Sequence, residues 1–289
     1  MARSDLSGAP LTTSLLSSSA AALSLAASVS AQPNLVIIND DFTSLNTAIW
    51  GPATNGPWQA GAPDHTMVTE IQGRSVLRME SRLTGPERRG YLSTPPFPLR
   101  SALIEAAFSP LEGDGAPLEL WLLFPYGDAF IALSPYASAP GQNVARLQTT
   151  GAVHIYGPPP IWRHGSWYRC VLDVRGRSVR ASLLDEAGAA IWTQTYPWSL
   201  CNVAPEWGVG FVQFRESGAG RAVAAIDRFR VTLRCSADVN EDDLLTPADF
   251  VAFVLAWNAR DCVADVDSDL SYTINDFVAF QRAFAAGCL

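Results

Sequence analysis

The sequence predicts a mainly β protein: a two-sheet sandwich of the jelly-roll type, followed by a small α-helical module. Residues 35–234 consist of short apolar runs separated by Gly-rich and Pro-rich turns, with no helical period of useful length. Residues 235–289 instead carry a repeated acidic pattern, each copy of which leads into apolar residues at helical spacing. These observations divide the chain into two structural units.

The predicted strands are runs rich in β-branched and aromatic residues. They span 35–38, 66–71, 75–80, 102–108, 118–124, 129–133, 144–148, 167–174, 179–184, 191–195, 208–214 and 224–233. Apolar and polar residues alternate most clearly over 174–183, where Arg175-Gly176-Arg177 occupies the position of a hairpin turn. Many strands within about 200 residues favour a jelly roll of two packed sheets.

The acidic pattern occurs twice without an insertion. Segment 238–249 reads DVNEDDLLTPAD, and segment 265–276, which begins 27 residues later, reads DVDSDLSYTIND. Both copies run directly into Phe-Val-Ala-Phe. A strict tandem repeat indicates one supersecondary unit used twice.

The repeat has the donor spacing of a calcium loop. Oxygen donors at loop positions 1, 3, 5, 9 and 12, with a backbone carbonyl at position 7, wrap a hard cation. The predicted ligands are Asp238, Asn240, Asp242, Leu244, Thr246 and Asp249 in the first loop, and Asp265, Asp267, Asp269, Ser271, Thr273 and Asp276 in the second, with Leu244 and Ser271 lending carbonyls. The sequence therefore predicts two EF-hand-like loops with calcium as the cofactor.

The turn at loop position 6 distinguishes the two copies. This position takes a left-handed conformation and is normally Gly. The first loop has Asp243 there, which tolerates the conformation, whereas the second has Leu270, for which it costs about 1–2 kcal/mol. We expect the second loop to bind calcium more weakly than the first.

Each loop also predicts the start of a helix. In the first copy Thr246 is placed as the N-cap, Pro247 as the first helical residue and Asp249 as the acidic third residue. The predicted apolar faces consist of Phe250, Phe253, Val254 and Trp257 in one helix and Phe277, Phe280 and Phe284 in the other.

Two calcium loops, each followed by a helix but not preceded by one, resemble a type I dockerin. The resemblance covers residues 235–289 and is closest to the subgroup that begins near a Cys, here Cys235, and ends in Gly-Cys, here Gly287-Cys288. It implies a module that folds around two calcium ions and docks to a cohesin-type partner in assemblies that degrade polysaccharides. The partner-reading positions 10 and 11, often Ser-Thr in such modules, are Pro247-Ala248 and Ile274-Asn275, so the identity of the partner is open.

Five cysteines suit a compartment in which disulfides persist. A 55-residue module has a small core, so a disulfide that joins its ends is physically reasonable. We favour Cys235 with Cys288 and Cys170 with Cys201, which leaves Cys262 unpaired. Cys235 with Cys262 is the rival pairing, because spacing does not determine connectivity.

The N-terminus and the distribution of charge predict export. Residues 1–31 have the three zones of a signal peptide, with small residues before a cleavage point after Ala31, although a start codon within the first dozen residues is an alternative. Residues 235–289 hold ten acidic and two basic side chains and thus carry the whole formal charge of −8. No basic patch indicates nucleic acid, and no stretch suits a membrane span. We expect a secreted or cell-surface protein.

The body of the chain, from about 40 to 233, resembles the concanavalin A-like, laminin-G-type jelly roll. The landmarks are Asp41-Phe42 with Trp50, Trp167-Tyr168-Arg169, the GVGF segment 208–211 and the closing strand 226–231. In some members of that fold, acids near both termini share a calcium ion, which makes Asp41 and Asp227 minor candidates.

Catalysis by the body is not predicted. Retaining jelly-roll hydrolases place two carboxylates on one strand as Glu-x-Asp-x-x-Glu, and this sequence has no such string. Glu105 and Glu119 are interpreted as outward residues of alternating strands, and His65, His154 and His164 as surface residues.

Exposed aromatic rings, on which sugars stack, are the other lead. The tryptophans predicted in or beside turns are Trp58, Trp162, Trp192, Trp198 and Trp207, and those predicted in the core are Trp50, Trp121 and Trp167. The favoured function is a non-catalytic, carbohydrate-binding jelly roll carried on a calcium-dependent docking module. The alternatives are a divergent glycoside hydrolase or lyase on the same module and a purely adhesive domain.

Overall fold

A computed structural model describes residues 30–31, 35–52, 65–81, 87–93, 97–98, 101–113, 116–123, 130–137, 143–149, 153–156, 163–197, 206–215, 222–267, 269 and 271–287. The strands are β1 (Ser30–Ala31), β2 (Leu35–Asp40), β3 (Trp50–Pro52), β4 (His65–Ile71), β5 (Arg74–Ser81), β6 (Glu87–Ser93), β7 (Phe97–Pro98), β8 (Ala102–Gly113), β9 (Ala116–Leu123), β10 (Phe130–Ala137), β11 (Asn143–Thr149), β12 (Val153–Tyr156), β13 (Tyr168–Val174), β14 (Ser178–Asp185), β15 (Ala190–Pro197), β16 (Glu206–Arg215), β17 (Ala222–Leu233) and β18 (Leu244–Leu245). The helices are α1 (Pro247–Ala259) and α2 (Ile274–Ala286), and a 3-10 turn spans Cys262–Ala264.

The strands form two eight-stranded sheets whose described pairs are all antiparallel. The β9 sheet has the order β12-β11-β10-β9-β16-β6-β3, with β7 also paired to β16. The β8 sheet has the order β15-β14-β13-β8-β17-β5-β4, with β2 also paired to β17. The prediction of a mainly β two-sheet sandwich is confirmed.

The sandwich core lies between the two sheets. Trp50 packs edge-on against Phe229 at 5.0 Å between ring centroids and contacts Phe42 at 6.4 Å. Tyr91 of the β9 sheet belongs to the same buried cluster as Phe229 of the β8 sheet. The inner faces of the two sheets therefore meet in one core, and their outer faces lie on opposite sides of the sandwich.

The buried carboxylate of Asp40 holds Phe42 and Trp50 beside this core. Asp40 accepts hydrogen bonds from the indole N–H of Trp50 at 2.7 Å and from the backbone N–H of Phe42 at 2.8 Å, where the chain has a φ of 52°. The neighbouring Asp41 is exposed and accepts hydrogen bonds from Thr43, while Asp227 pairs with Arg74. A calcium ion shared by Asp41 and Asp227 stays a prediction.

Residues 235–287 build a second, smaller core. Phe253 stacks on Phe280 with ring centroids 4.5 Å apart, and Phe277 and Trp257 pack around this pair. The predicted apolar faces of α1 and α2 thus pack against each other. None of the described helices is long and apolar enough to span a membrane.

Two residues of the predicted signal segment pair with this second unit. Ser30 and Ala31 form a two-residue ladder with Leu245 and Leu244. Cleavage after Ala31 would remove this ladder, and the cleavage itself stays a prediction.

Candidate functional site

The first acidic loop is organised around its last carboxylate. Asp249 has no solvent exposure and accepts hydrogen bonds from the backbone N–H groups of Asn240 at 3.2 Å and Thr246 at 2.8 Å. Thr246 is the N-cap of α1 and forms a capping box with Asp249, with Pro247 at the start of the helix. The predicted helix start is confirmed. The Asp249 carboxylate binds the backbone of the loop and also belongs to the capping box of α1.

The second loop repeats this arrangement. Asp276 is likewise fully buried and accepts from the backbone N–H groups of Asp267 at 3.2 Å and Thr273 at 2.9 Å. Thr273 caps α2 with the same capping box. The 27-residue sequence repeat is therefore also a repeat of hydrogen bonding.

Four predicted ligands of the second loop converge. Carboxylate oxygens of Asp265, Asp267, Asp269 and Asp276 all lie within 4.8 Å of one another. Like charges at this distance repel, so a cation among them stabilises their ionised form. An all-oxygen donor set of this kind fits a hard divalent cation such as calcium. Leu270 lies outside the described residues, and the contribution of the Leu244 and Ser271 carbonyls stays a prediction.

The first loop is held partly by its own backbone. Asp238 accepts from the N–H groups of Asp242 at 3.1 Å and Asp243 at 3.0 Å. Burial raises the pKa of Asp238 to about 6, with Asp249 and Asp242 adding to the rise and the two N–H donors opposing it. Among the described residues, the mutual carboxylate cluster occurs in the second loop, not in the first.

Asp243, at position 6 of the first loop, has a role that the sequence did not reveal. Its φ of 64° is the expected left-handed turn. Its carboxylate, however, leaves the loop and binds Arg175 at 3.0 Å and also Arg234, both from the sandwich. The first loop is thus joined to the β8 sheet.

The turn between β13 and β14, which lies at its predicted position, forms the junction between the sandwich and the helical module. Arg175 donates to the carbonyl of Glu241 at 2.6 Å, and Arg177 pairs with Asp261 at 2.8 Å. Burial lowers the pKa of Arg175. The neighbouring carboxylates of Asp173 and Asp243 outweigh this effect and raise the pKa above its ordinary value. A side chain at Gly176 would place its Cβ 2.7 Å from Val263 Cγ1, so Val263 would have to shift to accommodate any larger residue.

The cysteine pairing differs from the prediction. Cys170 is a free, fully buried thiol, so the expected bond from Cys170 to Cys201 is wrong. Burial raises its pKa well above the ordinary value. Cys262 is disulfide-bonded and not unpaired as expected, and Cys235 is also disulfide-bonded. Both cysteines line one cavity of about 60 Å³, while Cys288 lies outside the described residues, so the pairing of Cys235 stays a prediction.

The outer face of the β9 sheet carries a row of residues suited to sugar binding. Trp121, Ala132, Gln148 and His154 occupy adjacent register positions on β9, β10, β11 and β12. In the neighbouring row, Leu120 of β9 and the buried Tyr91 of β6 are both in register with Phe211 of β16. Alternation along β9 assigns positions 120 and 121 to opposite faces of the sheet.

The prediction that Trp121 is a core residue stays a prediction. Trp50 and Trp167 are buried as expected, whereas Trp192, expected beside a turn, is also buried. Trp207 lies in β16, and Trp58, Trp162 and Trp198 lie outside the described residues.

Polar residues also occur at alternate positions of these strands. Glu119, Arg146 and Tyr156 lie two positions along their strands from Trp121, Gln148 and His154, respectively. Gly210, which has no side chain, occupies the register position beside Trp121 on β16. A tryptophan in register with a glycine, with polar residue types at nearby positions, is a combination suited to the stacking of a sugar ring.

The helices leave apolar residues at the surface. Val251 and Ile274 are 57% and 69% exposed, and Phe250 is 43% exposed although it contacts the ring of Phe277. A groove of about 610 Å³ runs between α1 and α2 past Phe250, Val251 and Phe284. The described part of the helical module therefore presents an apolar surface.

Comparison with known proteins identifies the fold of the sandwich. No protein-family model and no curated protein sequence matches the chain. Among solved structures it is similar to the CBM2 module of the evolved Dit of Lactobacillus casei BL23 phage J-1, with a TM-score of 0.53, 13% identity, and 70% of this chain and 96% of that chain covered. It is also similar to lectin UEA-II complexed with galactose, with a TM-score of 0.50, 16% identity, and 68% and 97% of the two chains covered. At such identities the likeness establishes a jelly-roll sandwich and no finer property.

Proposed function

We propose that this chain is a secreted or cell-surface modular protein whose sandwich binds carbohydrate and whose C-terminal module binds calcium and docks to a cohesin-type partner. The polysaccharide is bound on the outer face of the β9 sheet, in the context of polysaccharide breakdown. The observation that carries the carbohydrate proposal is the outer row, in which Trp121, Gln148 and His154 are aligned across three strands. The names of the solved neighbours, a carbohydrate-binding module and a galactose complex of a lectin, agree with it.

Catalysis is the less favoured alternative because the sequence lacks the Glu-x-Asp-x-x-Glu string of retaining jelly-roll hydrolases. Two acids of the β9 sheet, Glu119 and Glu206, lie on the adjacent strands β9 and β16. Glu119 is in register with Val212, six positions from Glu206 along β16, which corresponds to about 20 Å. A retaining glycosidase needs its two carboxyl groups about 5 Å apart, and an inverting one needs them less than about 10 Å apart.

Replacing Trp121 by alanine is expected to weaken polysaccharide binding at least about tenfold, because the stacking surface is lost. Trp121→Phe keeps an aromatic ring and should retain most of the affinity. The measurement is retention of the full chain on a panel of insoluble glycans, with reducing-sugar release followed in parallel. Release of sugar would instead establish the hydrolase alternative, and a chain that no glycan retains would indicate the adhesive one.

The docking proposal rests on the repeated loops and on the apolar groove beside them. The two loops place acidic side chains next to the start of each helix, where Pro247 and Ile274 are exposed. Calcium would be held by the twelve predicted ligands, and it would neutralise the acids that otherwise repel one another. The partner expected from this surface is a protein with a complementary apolar face.

Replacing Val251 by aspartate is expected to abolish docking, because it places a charge in the exposed apolar groove. The matched control is Asn258→Asp, which adds the same charge at another exposed position of α1. Immobilised cohesin domains should retain the wild-type chain and the control in calcium but not after chelation. Retention of Val251→Asp as strong as that of the control would show that this groove is not the docking surface.

A further inference from the structure

A second concave surface lies on the outer face of the β8 sheet, on the side of the sandwich opposite Trp121. It is a groove of about 460 Å³, which we call the arginine groove, defined by Arg169 on β13 and by Arg228 and Arg230 on β17. Glu105 and Ala107 of β8 lie between these two strands. Neither the sequence patterns nor the proposed function accounts for this surface.

The register explains why the arginines converge. Cys170, Phe229 and Val231, their neighbours along the strands, have no solvent exposure and point into the core. The arginines therefore face outward, and Ala107 is the register partner of both Arg169 and Arg228. The small methyl group of Ala107 leaves an open floor between two guanidinium groups.

Most of the acids around the groove are already engaged. Glu186 and Asp227 bind Arg74 at 2.6 Å and 2.9 Å, and Arg74 also stacks over Trp167 at 4.7 Å from the ring centroid. Asp185 accepts from the backbone N–H of Ala189 at 2.8 Å. The lining holds four arginines and four acids, and within the described residues these three rim acids form no ion pair with the arginines at the centre.

The central arginines have no hydrogen-bonded acid among the described residues. Arg169 forms a loose ion pair with Glu105 at 3.8 Å, beyond hydrogen-bonding distance, and Glu105 is also the register partner of Arg230. Within the described part of the chain, Arg228 and Arg230 form no ion pair, and the buried Nε of Arg230 has no hydrogen-bond partner. A charged group left without such partners is costly, and guanidinium N–H groups that remain unpaired can donate to an added anion.

We propose that the arginine groove binds an oxyanion carried by an acidic polysaccharide, either a carboxylate or a sulfate ester. Guanidinium groups bind both kinds of group through paired N–H donors in one plane. The groove is wide enough for a sugar unit to accompany the anion. This site is separate from the row containing Trp121, so each proposal can fail without the other.

The test is the affinity of the full chain for a uronate oligosaccharide, a sulfated oligosaccharide and the neutral counterpart of each, with calcium held constant. Arg228→Gln and Arg230→Gln should each lower the affinity for the charged ligand at least about tenfold, which is about 1.4 kcal/mol. The matched control is Arg180→Gln, which removes the same charge from an exposed residue of β14 in register with Asp173, four positions along β13 from Arg169. We expect it to change the affinity less than about twofold, since a distant exposed charge acts weakly through screened water.

The outcomes separate the alternatives. The uronate and sulfate arms identify which oxyanion is preferred, and Trp121→Ala should leave this binding unchanged. Equal loss in Arg180→Gln, equal binding of the neutral ligands, or no binding of either anion would overturn the proposal. Because Arg230 is partly buried, a loss of folding in that variant would leave the exposed Arg228→Gln variant to decide.

Discussion

Replacing Asp276 by alanine is expected to unfold the helical module in the absence of metal and to remove a calcium-binding event. The carboxylate is fully buried and accepts the backbone N–H groups of Asp267 and Thr273. Its loss leaves two donors unpaired and breaks a capping box, at about 3 kcal/mol or more. A core as small as this one supplies only about 3–5 kcal/mol, so the change is comparable to the whole stability of the module.

The measurement combines the helical circular dichroism signal on heating with calorimetric titration of calcium. Asp276→Asn is the matched variant, because it keeps an acceptor oxygen for the helix cap and removes the charge. We expect it to retain helix while losing affinity for calcium, which separates the two roles of the carboxylate. The equivalent change at Asp249 should affect the first loop in the same way. If Asp276→Ala melts and titrates like the wild type, the role assigned to this carboxylate is wrong.

Much of the sandwich could be predicted from alternation along single strands. The hairpin of β13 and β14 turns at Arg175 to Arg177, as expected, because core and surface residues alternate on both sides of it. β6 was missed because its ERRG start has no apolar alternation. It is a strand because it pairs with β16 on one side and β3 on the other, which is information from distant parts of the chain.

The candidate sites also differ in whether neighbouring residues in the sequence were enough to predict them or contacts between distant parts of the chain were needed. Both capping boxes could be predicted, because all their members lie within four consecutive residues. The outer row could not, since it needs the register of four strands. The LELWLL sequence around Trp121 is apolar at most positions, so the strand alone does not indicate which face is buried. The contacts of Asp243 with Arg175 and Arg234 were not predicted, because its place in the turn of the first loop already explained this residue.

Replacing Arg175 by alanine is expected to loosen the helical module from the sandwich, while the same change at Arg177 is not. The Arg175 side chain is 14% exposed and contacts Asp173, the Glu241 carbonyl and Asp243. Removing such a charged donor costs about 2–3 kcal/mol. Arg177, two residues away, has a 51% exposed side chain that pairs with the partly exposed Asp261 and lies near Glu241, so its loss should cost at most about 1 kcal/mol.

Arg175 and Arg177 therefore have the same charge and lie in the same turn, but their side chains differ in burial. Limited proteolysis near residue 235 should speed up in Arg175→Ala and remain unchanged in Arg177→Ala. Gly176→Ala tests the same contact sterically, because its Cβ would lie 2.7 Å from Val263 Cγ1. Equal proteolysis of the two arginine variants would show that the junction does not depend on the buried contacts.

The contact of Asp243 with the sandwich also leads to a prediction about calcium affinity. This residue belongs to the turn of the first loop, and its carboxylate is held by Arg175 and Arg234. Losing Arg175 removes one of the two arginines that hold that turn, so calcium affinity should fall in the first loop and stay unchanged in the second, whose carboxylate cluster lies elsewhere. Titration of Arg175→Ala combined with Asp276→Asn isolates the first loop. Unchanged affinity there would mean that the sandwich holds the module without influencing its metal site.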